Sequence, residues 1–463
     1  MNSSHPESTH DSKLQRGLSN RHIQLIAIGG AIGTGLFMGS GKTISLAGPS
    51  IIIVYAVIGF FLFFLMRAMG ELLLSNLNYK SFTDFSEDLL GPWAGFFIGW
   101  TYWFCWVVTG TADIIAISGY IHFWFPDISP WVPAIGFVIL MVALNLVSVK
   151  VFGEMEFWFA SIKIVAILAI ILIGCVLVGT SFVSPAGEAA TFANLWIHGG
   201  FFPKGIMGFF AGFQIALFAF VGIELLGTTA AETKDPEINL PRAVNAVPFR
   251  ILFFYIFALI AIMTISPWNS IDPGQSPFVT VFMLIGIPAA AGVINFVVLT
   301  SAASSANSGI YSTSRMLYGL AKSGVAPKAF ARLSSKHVPA NGLLFSCLCL
   351  LLGSAMLIVM PTIMAAFTVM TTISSILFIF VWSIILFSYL TYLKKRPHLH
   401  EASRFKVPGG KFMVWATLAF FLFVLVLLTL EQDTREVLMV TPLWFVVLGI
   451  GYHFSKKNHS SQL

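Results

Sequence analysis

The stretch GGAIGTGLF, residues 29–37, lies inside a long apolar run, although four of its first seven residues are glycine. Each glycine costs a helix about 1 kcal/mol relative to alanine. At membrane depth, backbone outside a helix is tolerated only where it is buried in protein or lines a wet cavity. A helix broken here would expose free N–H groups and a positive dipole end, which bind anions. We therefore interpret Gly33, Thr34 and Gly35 as a cradle for a carboxylate.

Tight helix packing is the alternative explanation for these glycines, because small residues let neighbouring helices approach closely. A dinucleotide-binding loop is excluded, since no strand precedes the stretch and no βαβ unit surrounds it.

The composition makes lipid the main solvent of this chain. Of its 463 residues, 57% are hydrophobic and 10% are charged, whereas soluble domains carry roughly 25% charged residues. The formal net charge of +6 indicates membrane topology and contact with anionic lipid rather than nucleic-acid binding.

The hydropathy pattern predicts an all-α polytopic membrane protein with twelve spans, since each spanning helix needs about 20 mostly apolar residues. The predicted spans are 22–41, 48–68, 93–122, 128–148, 156–179, 203–230, 243–266, 277–312, 341–360, 363–391, 411–430 and 438–455. The runs are too long for the alternating strands of a barrel.

The distribution of basic residues orients these spans. Nearly all of the 26 Lys and Arg residues fall on one set of loops and both tails, while the opposite loops carry only Lys42, Lys204 and Arg435. By the positive-inside rule, both termini are cytoplasmic and the protein lies in the cell membrane. The predicted organisation is a cytoplasmic tail, a transporter core, a loop with the last two spans, and a cytoplasmic C-terminal tail: 1–21, 22–391, 392–455 and 456–463.

The sixth span carries a second signal for an interrupted helix. FAFVGIELLGTTAAETKDP, residues 218–236, places Gly222, Glu224 and Gly227 in an apolar run. An acidic residue within a span is costly and suggests a functional site. Spans 1–5 and 6–10 would form two halves of opposite orientation, each beginning with a broken helix. That five-plus-five inverted repeat is typical of transporters with a site at the midplane.

The two breaks together suit a dipolar solute. Carbonyls at Phe218, Ala219 and Phe220, at the end of the first half of span 6, would be free to hold an ammonium group. A carboxylate at one break and an ammonium at the other describe the zwitterion of an α-amino acid.

The sequence resembles the amino acid–polyamine–organocation transporters, and within them the amino acid permease branch. The resemblance covers nearly the whole chain after the N-terminal tail. It is carried by LSNRHIQLIAIGGAIGTGLFMGSG (18–41), FGEMEFWFASIKI (152–164), the stretch 218–236, and SAASSANSGIYSTSRMLYGLA (301–321).

The resemblance implies a proton-coupled symporter with alternating access. It assigns the substrate carboxylate to the backbone of Gly33, Thr34 and Gly35, and the amino group to carbonyls at residues 218–220, with Ile32 as a further carbonyl. It also implies that Lys163, on the fifth span, takes the place of a sodium ion in sodium-coupled relatives.

Three charged residues within the spans have competing explanations. Lys163 is a proton-coupling group, charged in one access state and neutral in another, or a side chain that snorkels to the inner interface. Asp113 is a proton or cation partner, or it bonds Thr109 or a neighbouring helix. Glu224 acts in ion or substrate handling, or it fixes helix packing.

Span 8 contains TSAASSANSGIYSTS, residues 300–314, which is rich in hydroxyl side chains. Helix packing accounts for most of them. By analogy with sodium-coupled relatives, Ser301, Ser304 and Ser305 could also line the ion region. The pair His398 and His400 does not make a metal site, and we expect both to be solvated loop residues.

The predicted function is uptake of a small amino acid together with protons. Bulky Phe218 and Phe220, with the resemblance, favour glycine, alanine and serine of either chirality. The alternatives are a permease with another amino acid substrate and a membrane sensor without flux. No metalloprotease, nucleophile-elbow or P-loop motif is present, so neither an enzyme nor an ATP-driven pump is predicted. We expect no cofactor, no metal and no obligate protein partner.

Overall fold

A computed structural model describes residues 29–147, 149–185, 187–228, 233–334 and 338–460. The predicted N-terminal tail, the first residues of the predicted first span and the last residues of the C-terminal tail lie outside the described residues. In the described part, the chain is helical apart from loops and one isolated bridge between Val183 and Ala189. This agrees with the all-α prediction.

The α-helices are short where a span is interrupted and long elsewhere. Residues 29–31 are helical, and the helices that follow are α1 Thr34–Phe37, α2 Gly39–Ala47, α3 Ile51–Ser75, α4 Phe82–Leu90, α5 Pro92–His122, α6 Trp131–Val147, α7 Val149–Gly179, α8 Gly205–Ala211, α9 Phe213–Ala216, α10 Leu225–Thr228, α11 Pro236–Ile265, α12 Pro277–Leu284, α13 Pro288–Lys322, α14 Ala340–Ser354, α15 Met356–Val359, α16 Ile363–Lys395, α17 Pro397–Ala402, α18 Gly410–Leu427, α19 Gln432–Val440 and α20 Pro442–Ser460. Short 3₁₀ helices occupy Gly48–Ser50, Phe192–Leu195, Leu217–Phe220, Trp268–Ser270 and Lys328–Ala331.

Ten helical segments among the described residues are long and apolar enough to cross a membrane. One of them, Gly39–Ser75, holds the end of the predicted first span and the whole of the second. The predicted fourth span corresponds to the shorter apolar helix α6. The count of twelve spans and the inverted repeat therefore stay predictions.

A glycine turn divides the segment Gly39–Ser75. Gly48 has φ +60°, a conformation that L side chains rarely adopt, and a Cβ there would lie 2.3 Å from Cγ of Pro203. A residue other than glycine would be strained and would also collide with the proline. The regular α-helix is thus interrupted between α2 and α3, where the sequence placed the boundary of the first two spans.

The predicted eighth span is wrong at its start. Residues 277–284 form the separate helix α12, and Gly286, with φ +81°, turns the chain before α13 begins at Pro288. The residues on both sides of this turn are apolar, so hydropathy gave no signal for the boundary and predicted one span where there are two helices.

The segment after α16 packs against the bundle and corrects the expectation that His398 and His400 are solvated loop residues. Both lie in the short helix α17. His398 is exposed, but His400 is half-buried and its Nδ1 lies 2.6 Å from Oε1 of the buried Glu71 in α3. The same carboxylate accepts hydrogen bonds from the Tyr389 hydroxyl at 2.7 Å and the Val407 N–H at 3.1 Å. The buried Glu71 carboxylate of α3 therefore joins the segment after α16 to the C-terminal ends of α3 and α16.

A short helix outside the spans lies beside this segment. Ser81 caps α4 by accepting a hydrogen bond from the Thr83 N–H. Asp88, at its other end, pairs with the Arg396 guanidinium at 2.8 Å and accepts from the Tyr79 hydroxyl. The hydroxyl and then the guanidinium lower the pKa of Asp88 from its usual value.

Candidate functional site

The first span is interrupted where its glycines cluster. Helical residues 29–31 end at Ala31, Gly33 is extended with φ −138° and ψ −156°, and the helix resumes at Thr34. The N–H groups of Leu36 and Phe37 both donate to the Gly33 carbonyl at 3.2 Å. Thr34 and Gly35 therefore occupy the first turn, where N–H groups have no acceptor within their own helix.

The sixth span is interrupted too. It narrows from α9 into the 3₁₀ helix Leu217–Phe220, and Val221 ends this helix with ψ 137°. Gly222 follows with φ +100°, and α10 begins at Leu225. Both predicted breaks are thus present as departures of the backbone from helical geometry.

The two breaks touch each other through glycines. A Cβ added to Gly35 would lie 2.5 Å from Cα of Ala219, and one added to Gly222 would lie 2.7 Å from the Gly30 carbonyl oxygen. Gly35 and Gly222 thus permit close backbone approach, and for Gly35 this is the packing role weighed as the alternative. A Cβ on Gly30 would instead collide with the Leu225 side chain, at 2.5 Å. Gly33 differs, because a Cβ there would meet the hydroxyl of Ser305 at 3.4 Å rather than backbone.

The carbonyls at the end of the first half of span 6 each accept one hydrogen bond. Phe218 O accepts from the Val221 N–H at 3.1 Å and Phe220 O from the Ile223 N–H at 3.3 Å. Ala219 O accepts from the Tyr255 hydroxyl at 2.6 Å. A carbonyl oxygen has two lone pairs, so each has capacity for a second donor.

Tyr255 is the residue at the breaks that the sequence argument missed. Its hydroxyl lies 2.8 Å from the Ala31 oxygen as well as 2.6 Å from the Ala219 oxygen. A hydroxyl carries one proton, so the two carbonyls compete for it. The Tyr255 side chain, on α11, thereby links the first halves of spans 1 and 6. A lone tyrosine in an apolar span looks like a core aromatic, and no signal in the sequence distinguished it.

Asp113 on α5 contacts the predicted cradle. Its Oδ1 accepts a hydrogen bond of 2.6 Å from the Thr34 hydroxyl, and the carboxylate is 1% exposed. Thr109, offered as an alternative partner, instead pairs with Ser374 at 2.8 Å. The carboxylate therefore bonds to a neighbouring helix, which is one of the two explanations offered for it, at a residue of the predicted cradle.

Lys163 is buried and does not snorkel. It is 1% exposed, and its Nζ donates to the Gly29 carbonyl at 2.7 Å. Gly29 belongs to the last described turn of the first half-helix, whose C-terminal dipole end is negative.

Glu224 lies in the non-helical segment of span 6 and is fully buried. Its carboxylate accepts from the Tyr102 hydroxyl at 3.3 Å and from the Gly222 N–H at 3.1 Å. These contacts fix the segment to α5, as the packing explanation proposed, and they leave its part in ion or substrate handling untested.

The serines of α13 approach the first break from another side. The Ser301 hydroxyl lies 3.4 Å from the Ile32 carbonyl oxygen, and Ser305 faces Gly33. Ser304 is also buried. Helices α5, α7, α11 and α13 thus bring Asp113, Lys163, Tyr255 and the serines to the two breaks. In the part of the chain that the structure describes, no group of three or more His, Cys, Asp and Glu side chains could hold a metal ion.

Comparison with known proteins gives consistent matches along the chain. The family model described as amino acid permease matches residues 22–463. The chain is 68% identical over 453 residues to the D-serine/D-alanine/glycine transporter of Escherichia coli K12, covering 98% of this chain and 96% of that protein. It is 52% identical over 451 residues to an amino-acid permease of Bacillus subtilis, covering 97% of each. A probable threonine/serine transporter of Bacillus subtilis is 43% identical over 443 residues, or 96% of this chain and 95% of that protein.

Proposed function

The chain belongs to the amino acid permease family, and from that premise we propose that it is a secondary active transporter that imports small neutral amino acids by proton symport. The proposed substrates are D-alanine, D-serine and glycine, with L-alanine as a further candidate. The observation that carries the proposal is the 68% identity, over nearly the full length, to a D-serine/D-alanine/glycine transporter.

In the proposed binding mode, the unwound backbone recognises the two ends of the amino acid. The N–H groups of Gly33, Thr34 and Gly35 bind the carboxylate. The carbonyls of residues 218–220, with that of Ile32, bind the ammonium. One observation supports this mode, namely that the breaks are in direct contact at Gly35 and Ala219. The ammonium and the carboxylate of an α-amino acid are attached to the same carbon, so two adjoining breaks can bind both groups.

Proton coupling is proposed to act on the two halves of the first span. Charged Lys163 stabilises the first half through the Gly29 carbonyl and the negative dipole end. Loss of its proton releases that half. Asp113 holds the second half through Thr34. Lys163 and Asp113 therefore hold the first span on opposite sides of its break, and the protonation of Lys163 changes the position of the first half. The breaks act as the hinges for alternating access.

The proposal places the protein in the cell membrane with both termini in the cytoplasm, in contact with lipid. The relatives named above are transporters or permeases, which agrees with a protein that is not an enzyme. The five-plus-five arrangement within twelve spans is part of the same proposal.

Uptake of radiolabelled D-alanine into proteoliposomes, with and without an imposed pH gradient, tests this function. We expect accumulation that depends on the gradient and is inhibited by D-serine and glycine. Inhibition by tryptophan or arginine but not by D-serine would contradict the substrate class. Binding of D-alanine without any uptake would favour the sensor alternative.

A further inference from the structure

Helix α5 presents one polar face to the broken helices. Tyr102, Trp106, Thr109 and Asp113 are spaced four, three and four residues apart, so they share a face of the helix. Tyr102 contacts Glu224 at the sixth span's break, and Asp113 contacts Thr34 at the first. Trp106 therefore lies on this face between two contacts with the candidate site.

The indole N–H of Trp106 is a buried donor that lies beside the Tyr102 hydroxyl on the same helix face. The side chain is 1% exposed, and within the described residues its Nε1 makes no contact that meets hydrogen-bond geometry. Burying an N–H group without a partner is costly. The other tryptophans of α5 are satisfied: Trp93 donates to Leu90 O at 2.9 Å, Trp100 to Val325 O at 3.2 Å and Trp103 to Ser346 Oγ at 3.0 Å.

The surroundings of Trp106 continue the walls of the site. A Cβ added to Gly309 of α13 would lie 3.1 Å from Cε3 of the Trp106 ring. Gly309 follows Ser305 by one helical turn, and Ser305 faces Gly33 in the cradle. On α16, Phe378 meets the Trp106 ring edge-on with 6.2 Å between centroids. The ring is thus enclosed about one turn from the predicted carboxylate cradle.

In the proposed binding mode, backbone at both breaks binds the two charged groups of the substrate. The substrate side chain then points toward α5, α13 and α16. We propose that Trp106 determines substrate specificity: its indole N–H donates a hydrogen bond to the hydroxyl of a bound serine, and its ring limits side-chain size. This inference rests on the proposed function, because it concerns the side-chain end of the same site.

The test is the ratio of D-serine to D-alanine uptake, as kcat/KM, measured in the same proteoliposomes. Trp106→Phe keeps most of the ring and deletes the donor, so we expect the ratio to fall about fivefold, the effect of one neutral hydrogen bond. Trp103→Phe, which deletes the donor of a neighbouring indole on the same helix, should leave the ratio unchanged. The ratio is independent of the amount of folded protein, because both substrates report on the same molecules.

An unchanged ratio in Trp106→Phe, or an equal fall in Trp103→Phe, would overturn the hydrogen-bonding role. A bound water as the true partner gives the first of these results, since it affects both substrates alike. Wild-type vesicles that take up neither amino acid would instead refute the proposed function, and this inference with it.

The size limit is tested with Trp106→Ala. We expect valine to inhibit D-alanine uptake by this variant and not by the wild type. If the variant transports D-alanine and still excludes valine, the ring does not set the size of the substrate.

Discussion

The replacement Lys163→Gln separates transport from its coupling to protons. Lysine reaches one bond further than glutamine, so the contact of 2.7 Å between Nζ and the Gly29 oxygen lengthens to about 4 Å, beyond hydrogen-bonding range. The loss of a hydrogen bond from a charged donor is about 1.5–3 kcal/mol. That amounts to at least about a tenfold shift in any equilibrium that depends on the charged lysine.

The assay compares accumulation with exchange in the same vesicles. With one proton per amino acid, a gradient of about one pH unit supports roughly tenfold accumulation of D-alanine. Lys163→Gln should accumulate no D-alanine above equilibrium, yet exchange external for internal D-alanine, because the backbone at the breaks is intact. Lys163→Arg retains a charge that is not lost in proteins, and it should also fail to accumulate. Lys204→Gln, outside the site, is the control. Full accumulation by Lys163→Gln would refute the coupling role.

The remaining predictions concern individual contacts. Gly222→Ala should lower the melting temperature and abolish uptake, because φ is +100° and the new Cβ would lie 2.7 Å from a carbonyl oxygen of the first span. The control Gly319→Ala places no atom within 4 Å of the added Cβ and should change neither the melting temperature nor uptake. Thr34→Val should reduce D-alanine uptake about tenfold or more by removing the 2.6 Å bond to Asp113, whereas Thr34→Ser should transport normally, and equal activity of the two would contradict this role. Glu71→Gln should destabilise the detergent-solubilised protein by about 1–3 kcal/mol, because the buried carboxylate loses its charge while the groups that donate to it remain. An unchanged melting temperature would argue against a stabilising role of the Glu71 contacts with Tyr389 and Val407.

The sequence predicted the features that depend on composition and on residues with special backbone properties. Clustered glycines at 29–35 and the Gly222–Glu224 pair indicated both interruptions, because few other causes place such residues in a lipid-exposed chain. These predictions rest on local chemistry, which a single stretch of sequence records. The role of Lys163 came from the resemblance, because the residues alone left snorkelling as an equal alternative, and the structure places the side chain in the interior.

Contacts between distant helices were beyond that argument. Nothing local shows that Tyr255 reaches two carbonyls from α11, or that His400 turns back to a carboxylate in α3. The packing of Gly35 against Ala219 also required the relative placement of two spans. A glycine serves close approach and ligand access equally well, so only the structure separated Gly35, which packs on backbone, from Gly33, which faces a hydroxyl.

The most direct test of the account is an experimental structure of the protein with D-alanine bound. The account predicts the carboxylate at about 3 Å from the N–H groups of Thr34 and Gly35, and the ammonium on the carbonyls of residues 218–220. D-alanine bound away from both breaks, or held there by side chains alone, would contradict the central claim that unwound backbone recognises the substrate.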